Sequence, residues 1–292
     1  MANVIIIGNG PAGISTALYT IRAGIETTII GKDFGALGKA SEIENYYGFS
    51  QPISGEDLVK EGIEGAKRLG VNFISDEVLG LSYIDQLVVN TKNEDYTAKS
   101  VVIATGTARN TPKIKGLKDL EGHGVSYCAV CDAFFYRGKD VAVLGDGEYA
   151  LHEALELLQT SNSVTLLTNG KTPAIEIPDF IKVNTTPIES LEGQEALETI
   201  IFEDGSKLSI SGLFVAVGVA GSTDLAKKIG AITENNKIVV DNNMATNIPG
   251  LYAAGDCTGG MLQISKAVYD GAKAGTSIVK YLRNPKSKTP QI

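Results

Sequence analysis

The sequence predicts an α/β fold that contains two Rossmann-like (three-layer) modules of the dinucleotide-binding type. Two observations carry this prediction. An apolar run near the start of the chain ends in the glycine-rich residues 8–13, and a second apolar run ends in the similar residues 145–150. Each turn is followed by apolar residues at helical spacing and then by a β-branched run, which is the order of elements in such a module. The repetition indicates that the module is duplicated.

The first module begins at residues 3–7, whose apolar side chains are typical of a buried parallel strand. In the turn that follows, Gly8 permits a tight bend and Gly10 lets the backbone approach a pyrophosphate. Gly13 lets the next helix pack closely on the strand. Because the N-terminus of that helix attracts anions, the turn is expected to bind the phosphates of a dinucleotide. A glycine-rich turn without a ligand is the alternative.

Periodicity predicts the remaining elements of this module. Helices are expected over residues 14–22 and 55–69, and strands over residues 27–30, 71–74, 87–91 and 100–104. An acidic residue near the end of the second strand usually binds a ribose. Asp33 stands at that place and is the candidate.

The second module restarts at residue 140. Strands are expected over residues 141–144 and 163–168, with a helix over residues 150–158 between them. Near the end of the chain, a long helix is expected over residues 264–282.

Composition narrows the function classes. The chain has 292 residues and a formal net charge of −8, which argues against nonspecific binding to nucleic acid. No apolar run approaches the ~20 residues of a membrane span, and residues 4–7 are too short for a signal-peptide core. A cytoplasmic protein is therefore expected. Three cysteines do not make a disulfide framework, and no second CxxC motif completes a four-ligand zinc site, so no metal is predicted.

A cysteine pair lies between the two glycine turns. Cys128 and Cys131 form a CxxC motif, which in an α/β chain of this kind indicates a redox-active disulfide. Two unrelated thiols, or half of a metal site, are the alternatives. Asp132 beside them is expected to relay a proton to a leaving thiolate, or else to cap a helix. Cys257 has no cysteine neighbour in sequence and is expected to be a packed thiol.

Five motifs, in this order, resemble the low-molecular-weight thioredoxin reductases: GNGPAG at 8–13, EIENYYGF at 42–49, ATG at 104–106, CAVCD at 128–132 and AAGD at 253–256. The resemblance covers nearly the whole chain. It implies an FAD-binding domain made from residues 1–114 and 245–292. It also implies an inserted redox-disulfide domain of the pyridine-nucleotide type, residues 115–244.

The same resemblance implies roles for individual residues. Cys128 and Cys131 would carry electrons from the flavin to a thioredoxin, and Asp132 would be the third catalytic residue. The family also implies a homodimer. Besides Asp33 at the ribose, the expected FAD contacts are Gly8, Gly10, Pro11, Ala12, Gly13, Asn45, Val78, Ala104, Thr105, Gly106, Gly255, Asp256, Gln263, Ile264 and Ser265.

The second module departs from this family at the place where NADPH binds. The family has arginines after the module's second strand, and their planar charged groups grip the 2′-phosphate. Here residues 168–170 are threonine, asparagine and glycine, and no arginine lies between Arg137 and Arg283. Lys171 is the nearby cation, and the helix that follows in the family is not predicted.

Two carboxylates also stand in the second glycine turn. Asp146 lies inside it and Glu148 just beyond it. At ~4 Å and an effective dielectric of 20, two like charges cost ~4 kcal/mol. A helix N-terminus stabilises an anion by only ~0.3–1 kcal/mol. Repulsion is therefore expected to exclude a pyrophosphate from this turn.

These departures resemble the ferredoxin-dependent flavin thioredoxin reductases, a subgroup without the NADPH motifs. The predicted enzyme is an FAD-dependent disulfide oxidoreductase that reduces thioredoxin with electrons from reduced ferredoxin. The alternatives are an NADH- or NADPH-dependent thioredoxin reductase, and a flavin dithiol oxidase that uses oxygen. Ferredoxins are acidic, so lysines are docking candidates: Lys113, Lys115 and Lys118, or the carboxy-terminal lysines from Lys266 to Lys288.

Overall fold

A computed structural model describes residues 2–106, 112–127 and 129–284 of the protein. The chain divides into two compact units. The chain-end unit contains residues 1–108 and 221–292, and the middle unit contains residues 109–220. The predicted α/β class, with one domain inserted into another, is confirmed by this division.

Helices and strands alternate along much of the chain. In the described residues the helices are α1 (Pro11–Arg22), α2 (Gly55–Arg68), α3 (Ala129–Asp132), α4 (Glu148–Leu158), α5 (Ser222–Lys228) and α6 (Ile264–Arg283). Short 3-10 helices lie at Leu37–Lys39, Ala133–Tyr136 and Asp256–Thr258. The strands are β1 (Ala2–Ile7), β2 (Thr27–Ile30), β3 (Asn72–Ile74), β4 (Val78–Ile84), β5 (Gln86–Thr91), β6 (Asp95–Ile103), β7 (Val125–Ser126), β8 (Asp140–Leu144), β9 (Ser163–Leu167), β10 (Lys182–Asn184), β11 (Ile188–Glu192), β12 (Thr199–Phe202), β13 (Lys207–Ser209), β14 (Gly212–Val215), β15 (Thr233–Glu234), β16 (Lys237–Ile238) and β17 (Leu251–Ala253).

The larger sheet belongs to the chain-end unit. Its strand order is β3-β2-β1-β6-β5-β4, and β17 also pairs with β6. The pairs among β3, β2, β1, β6 and β17 are parallel, whereas β4 and β5 are antiparallel additions. The carboxyl ends of the parallel strands therefore meet at one edge of the sheet. This is the edge at which open α/β sheets bind ligands.

The middle unit repeats this plan on a smaller scale. Its parallel sheet has the order β10-β9-β8-β14-β7. Strand β8 ends at the second glycine turn, and α4 follows that turn. An antiparallel ribbon, β11-β12-β13, shares the apolar core of the sheet through Leu144, Leu213, Ile200 and Phe202.

The observed boundaries between the units differ from the predicted ones. Residues 221–244, which the sequence analysis assigned to the inserted domain, belong to the chain-end unit, and the first boundary lies at residue 108. The reason is tertiary packing, because α5 lies against β4 and β16 lies against the 3-10 helix Asp256–Thr258. Lys228 Nζ also donates a hydrogen bond to the Leu79 carbonyl oxygen at 2.9 Å.

Helices α1 and α6 pack closely because glycines of α6 face α1. A Cβ at Gly271 would overlap the carbonyl oxygen of Ala12 and would lie 2.8 Å from Ser15 Cβ. A Cβ at Gly275 would lie 2.8 Å from the Thr16 carbonyl oxygen, in the next turn of α1. The Ser15 hydroxyl donates to the Val268 carbonyl oxygen at 2.7 Å, which ties the two helices together.

Two alanine substitutions test this close approach. Gly271→Ala should destabilise the protein by ~1–3 kcal/mol, because the added methyl overpacks the contact with α1. Gly65→Ala is the matched control in α2, where no described atom lies within 4 Å of an added Cβ. Alanine there should stabilise the helix by up to ~1 kcal/mol. The urea concentration at the unfolding midpoint should fall for Gly271→Ala and rise for Gly65→Ala. Equal shifts of the midpoint in the two variants would contradict the packing argument.

Candidate functional site

The first glycine turn is closed by protein on one side and open on the other. Gly8 has φ +107°, and a Cβ there would lie 2.5 Å from the Ala104 carbonyl oxygen and 3.2 Å from the Thr105 nitrogen. A Cβ at Gly13 would overlap the Gly8 carbonyl oxygen. Around Gly10, no described atom lies within 4 Å of an added Cβ. The turn therefore leaves room for a ligand beside Gly10.

The start of α1 adds unsatisfied donors at this turn. Gly10 is its N-cap and supplies no side-chain hydrogen bond, and the first turn carries no acidic residue. The first N–H groups of a helix lack intrahelical partners and, with the helix dipole, attract anions. Thr105 adds a hydroxyl oxygen that is buried and has no hydrogen-bond partner in the described part of the chain. These features fit a phosphate-bearing ligand.

Gly255, from the far end of the sequence, lies against the start of α1. A Cβ at Gly255 would lie 2.9 Å from Ala12 Cβ. The Gly255 N–H donates to Asp270 Oδ2 at 3.1 Å, and its carbonyl oxygen accepts from Lys266 Nζ at 2.8 Å. Lys266 and Asp270 form an ion pair of 2.7 Å, and their side chains are only 18% and 5% exposed. A buried ion pair on α6 therefore holds both polar backbone groups of Gly255, which precedes Asp256.

The start of α6 is joined to the loop at residues 42–49. Asn45 Nδ2 donates to Gln263 Oε1 at 3.1 Å. Gln263 is the N-cap of α6, and Ile264 and Ser265 are its first residues. Since α6 also contacts Gly255 through Lys266, the predicted contacts at residues 8–13, 45, 104–106, 255–256 and 263–265 come from five segments of one unit.

Asp33, the candidate ribose contact, lies in the turn that follows β2. It is exposed, and its carboxylate accepts the Gly35 N–H at 2.7 Å within its own turn. Two neighbouring acids in this part of the unit, Asp76 and Glu77, are buried, and Glu77 Oε2 pairs with Lys32 Nζ at 2.6 Å. Glu77 Oε1 is buried without a hydrogen-bond partner in the described residues. Val78, also predicted, follows Glu77 and is buried at the start of β4.

The CxxC motif is described only in part. Cys128 lies outside the described residues, and Cys131 is described through its backbone in α3. The Asp132 carboxylate accepts the Ser126 hydroxyl at 2.6 Å and makes no capping hydrogen bond to the following 3-10 helix. The capping alternative for Asp132 is therefore wrong. Burial and then the negative charge of Asp132 raise the pKa of Tyr136.

A second carboxylate reaches the cysteine turn from α4. Glu153 is 1% exposed, and its Oε2 accepts the Ala129 N–H at 2.8 Å. Ala129 directly follows Cys128, so the acceptor lies at the peptide that joins these two residues.

Cys257 lies in the 3-10 helix Asp256–Thr258 and is fully buried. Its thiol lies 3.3 Å from the Ala254 carbonyl oxygen and 3.4 Å from that of Ile103. Burial raises the pKa of the Cys257 thiol to about 12. The prediction of a packed thiol is confirmed, because both the access and the ionisation that exchange chemistry needs are suppressed.

The second glycine turn carries an ion pair at its rim, with the Lys171 side chain 60% exposed. Lys171 Nζ lies 3.1 Å from Asp146 Oδ2, and the Ala174 N–H donates to the Asp146 carbonyl oxygen at 2.8 Å. Residues 168–181 form no helix, as predicted. The Asn169 side chain, at φ +51°, accepts the Ile188 N–H at 2.7 Å. The segment after β9 therefore contacts the second glycine turn through Asp146 and strand β11 through Ile188. It contains no arginine.

Sequence reasoning missed three residues of this set: Glu77, Glu153 and Lys266. None lies in a recognisable motif: Glu153 and Lys266 lie within predicted helices, and Glu77 lies between two predicted strands. The available signal was the rarity of buried charges, which are almost always paired or functional. Lys266 was treated instead as one of a cluster of docking lysines, and its buried ion pair corrects that interpretation.

Two absences are observed in the described residues. None of their helices is long and apolar enough to cross a membrane. In the same described residues, the histidine, cysteine and acidic side chains form no group that could hold a metal ion.

Known proteins resemble this chain over almost its full length. Residues 2–271 match the pyridine nucleotide-disulphide oxidoreductase family. Thioredoxin reductases of Aquifex aeolicus and Listeria innocua are 35% and 34% identical to it. The alignments cover 99% and 97% of this chain, and 96% and 95% of those proteins.

Two solved structures are also similar. An atypical thioredoxin reductase from Desulfovibrio vulgaris Hildenborough has a TM-score of 0.92 and 41% identity, over 99% of this chain and 100% of that chain. A ferredoxin-flavin thioredoxin reductase from Clostridium acetobutylicum has a TM-score of 0.71 and 29% identity, over 96% of this chain and 97% of that chain.

Substitution of Lys266 tests the ion pair at Gly255. Lys266→Met should destabilise the protein by ~3–5 kcal/mol, because it leaves the buried Asp270 carboxylate without its cation. Lys280→Met removes the same charge from an exposed position of α6 and should change stability by less than ~0.5 kcal/mol. Urea unfolding measures both, and an effect of Lys266→Met as small as that of the control would contradict the role of the pair.

Proposed function

The chain belongs to the thioredoxin reductases of the pyridine nucleotide-disulphide oxidoreductase family, and we propose that it reduces thioredoxin through Cys128 and Cys131 with electrons from reduced ferredoxin. The Asp146–Lys171 ion pair in the second glycine turn is the main observation that favours ferredoxin over a pyridine nucleotide as electron donor. The Cys128 and Cys131 pair is the observation that indicates disulfide reduction.

Members of this family are FAD flavoproteins. The chain-end unit fits this cofactor through the uncapped start of α1, the room beside Gly10 and the unpaired Thr105 hydroxyl. Bound FAD supplies a carrier that takes up electrons and delivers them in pairs to a disulfide. We assign its contacts to Gly8, Gly10, Pro11, Ala12, Gly13, Asn45, Val78, Ala104, Thr105, Gly106, Gly255, Asp256, Gln263, Ile264 and Ser265. We also assign an FAD contact to Asp33, the predicted ribose contact, and to the buried Glu77 in the same part of the unit.

The reduced cysteine pair exchanges with the disulfide of thioredoxin in two steps. One thiolate attacks a thioredoxin sulfur, breaks its S–S bond and forms a mixed disulfide, and the leaving sulfur takes up a proton. The second cysteine then loses its proton and attacks the sulfur of the first cysteine in the mixed disulfide. The Cys128–Cys131 bond closes, and the released thioredoxin sulfur takes up a proton. Two electrons and two protons thus pass to thioredoxin. We assign to Asp132, whose carboxylate accepts the Ser126 hydroxyl at 2.6 Å, the role of accepting or donating one of these protons.

Exposed aromatic side chains support a protein as the disulfide substrate. Phe134 and Phe135 lie three and four residues after Cys131 and are 73% and 68% exposed. Their rings pack edge to face with centroids 6.1 Å apart, and the Arg137 guanidinium lies 5.8 Å from the Phe134 ring. Exposed aromatic and arginine side chains are typical anchors of protein interfaces.

The Asp146–Lys171 ion pair argues against a pyridine nucleotide as donor. A pyrophosphate in the second turn would meet the Asp146 carboxylate, and the nearby cation is already neutralised by that carboxylate. The Thr168 hydroxyl donates to the Lys171 carbonyl oxygen, and the Asn169 amide oxygen is used by Ile188. Neither polar side chain after β9 is therefore placed to replace the family's arginines.

A one-electron protein donor needs only a docking surface near the flavin. One structural relative is named as a ferredoxin-flavin thioredoxin reductase, which supports this class of donor. Lys113, Lys115 and Lys118 are exposed and offer positive charge to an acidic ferredoxin. The homodimer and the cytoplasmic location stay predictions of the resemblance.

The donor is tested by anaerobic titration of the oxidised flavoprotein. Reduced ferredoxin should bleach the visible flavin absorbance within seconds, whereas NADPH and NADH at millimolar concentration should not, because the second turn repels their pyrophosphate. Ferredoxin-driven turnover should fall as salt rises from 0.05 to 0.5 M, and less steeply for a Lys113→Gln, Lys115→Gln and Lys118→Gln variant. Fast bleaching by either nucleotide would overturn the choice of donor. Oxygen consumption with a small dithiol, without thioredoxin, would favour a dithiol oxidase.

Single cysteine variants test the disulfide separately from the donor. Cys128→Ser and Cys131→Ser should each abolish thioredoxin reduction, because either change prevents the pair from closing. Cys257→Ser is the matched control and should keep near-normal turnover, since that thiol is buried. Asp132→Asn should slow turnover by ~10²–10⁴-fold while leaving the flavin spectrum unchanged. Turnover that survives the loss of Cys128 or Cys131 would contradict the proposed chemistry.

A further inference from the structure

Glu77 carries a buried acceptor oxygen that no described residue satisfies. Its side chain is only 6% exposed, and its Oε2 forms the 2.6 Å ion pair with Lys32 Nζ. Its Oε1 is buried and accepts no hydrogen bond from the part of the chain that the structure describes. A buried polar atom without a partner costs free energy unless a ligand or a water molecule satisfies it. The Glu77 carboxylate is therefore held at one oxygen and free to accept a hydrogen bond at the other.

The backbone places Glu77 at the same edge of the sheet as the first glycine turn. The Gly8 N–H donates to the Ile30 carbonyl oxygen at 2.8 Å, which joins that turn to the end of β2. Directly after β2, the Gly31 N–H donates to the Ile74 carbonyl oxygen at 3.1 Å, which joins the end of β2 to the end of β3. Glu77 follows Ile74 by three residues. It therefore lies one strand beyond β2, counted from the turn.

The segment after β2 connects the turn to Glu77. A Cβ at Gly31 would lie 2.9 Å from Asn9 Cγ, so this segment passes directly against the first glycine turn. The next residue is Lys32, the cation that pairs with Glu77. In dinucleotide-binding modules, the acid that accepts a ribose hydroxyl stands at the end of the second strand. The Lys32–Glu77 pair thus brings a carboxylate from the segment after β3 to the place where an acid of β2 usually stands.

We propose that Glu77 Oε1 accepts a hydroxyl of the adenosine ribose of FAD, and that this contact makes the site selective for an intact ribose. This inference rests on the proposed function, in which the chain-end unit binds FAD. The Lys32 ammonium holds Oε2 and so fixes the orientation of Oε1. A hydrogen bond to a charged acceptor is stronger than one to a neutral acceptor. The same negative charge repels a ligand whose ribose carries a phosphate group.

Two neighbouring acids are less suited to this contact. Asp76 uses both of its oxygens, because Oδ1 accepts the Glu77 N–H and Oδ2 accepts the Thr91 hydroxyl, each at 2.7 Å. Asp33 is exposed, and its Oδ1 accepts the Gly35 N–H. A hydrogen bond at an exposed carboxylate contributes less than one inside the protein, where the local dielectric is lower. Among these three acids, Glu77 combines burial with an unused oxygen.

The test removes either partner of the proposed hydrogen bond. FAD is removed from the full-length protein, and the dissociation constants of FAD and of its 2′-deoxyadenosine and 3′-deoxyadenosine analogues are measured by flavin fluorescence. In wild type, one of the two analogues should bind ~10–100-fold more weakly than FAD. In Glu77→Gln the same analogue should lose less than ~10-fold, because the acceptor is uncharged. In Glu77→Ala it should lose less than ~2-fold, because the acceptor is absent.

Two further variants locate the effect. Glu64→Gln is the matched control, since it removes the same charge from a 70% exposed side chain of α2, and it should show the full hydroxyl dependence of wild type. Asp33→Asn should keep most of that dependence. A purely structural role of Glu77 would weaken the binding of FAD and of both analogues by the same factor. The ratio of the dissociation constants therefore separates a ribose contact from a loss of stability.

Three results would overturn the inference. The first is a wild type that binds both analogues as tightly as FAD. The second is an equal hydroxyl dependence in wild type and Glu77→Gln, a variant that keeps the size of the side chain and decides the question even if Glu77→Ala does not fold. The third is a loss of the dependence in Asp33→Asn but not in Glu77→Gln. Failure of the wild-type protein to bind FAD at all is a separate outcome, and it would contradict the proposed function itself.

Discussion

The close approach of α1 to its neighbours is the constraint on which the chain-end unit depends. This helix contacts the first glycine turn at Gly13, the late turn at Gly255, and α6 at Gly271. At each contact a single methyl group would collide with another atom. Because the helix can sit so deep, its uncapped N-terminus reaches the edge where the strands β1, β6 and β17 end. The cofactor-binding chemistry of the unit follows from that position.

Local signals predicted much of this architecture. The apolar runs that became β1, β8 and β9, and the glycine turns that follow β1 and β8, were visible because buried parallel strands and phosphate turns have simple patterns. The strands of the ribbon β11-β12-β13 were not predicted, since they are short and half of their residues are polar. The late boundary near residue 220 was also missed, because it depends on packing between α5 and β4 that no local pattern reports.

Only those residues of the candidate functional site that belong to a sequence motif could be predicted from the sequence. Residues of the first turn and the CxxC motif were identified from their spacing, whereas Glu77 and Glu153 contact partners that are distant in sequence, and Lys266 pairs with Asp270 on the same buried helix face. Asp33 stands at the place expected for a ribose contact and accepts the N–H of its own turn with one carboxylate oxygen, so its contact with a ribose stays a prediction. Such buried pairings depend on tertiary structure, and a single sequence gives only their residue types.

The packing of α1 against α6 also sets an order for biosynthesis. Ribosomes extend a chain at ~5–20 residues per second, from the N-terminus. The middle unit, residues 109–220, is complete in sequence while α6 is still to be made. Strand β1 and helix α1 must therefore wait for their covering helix, with apolar surface exposed, for roughly ten seconds or more. Strand β1 and helix α1 are thus made early and buried late, so part of the chain-end unit stays exposed until α6 is complete.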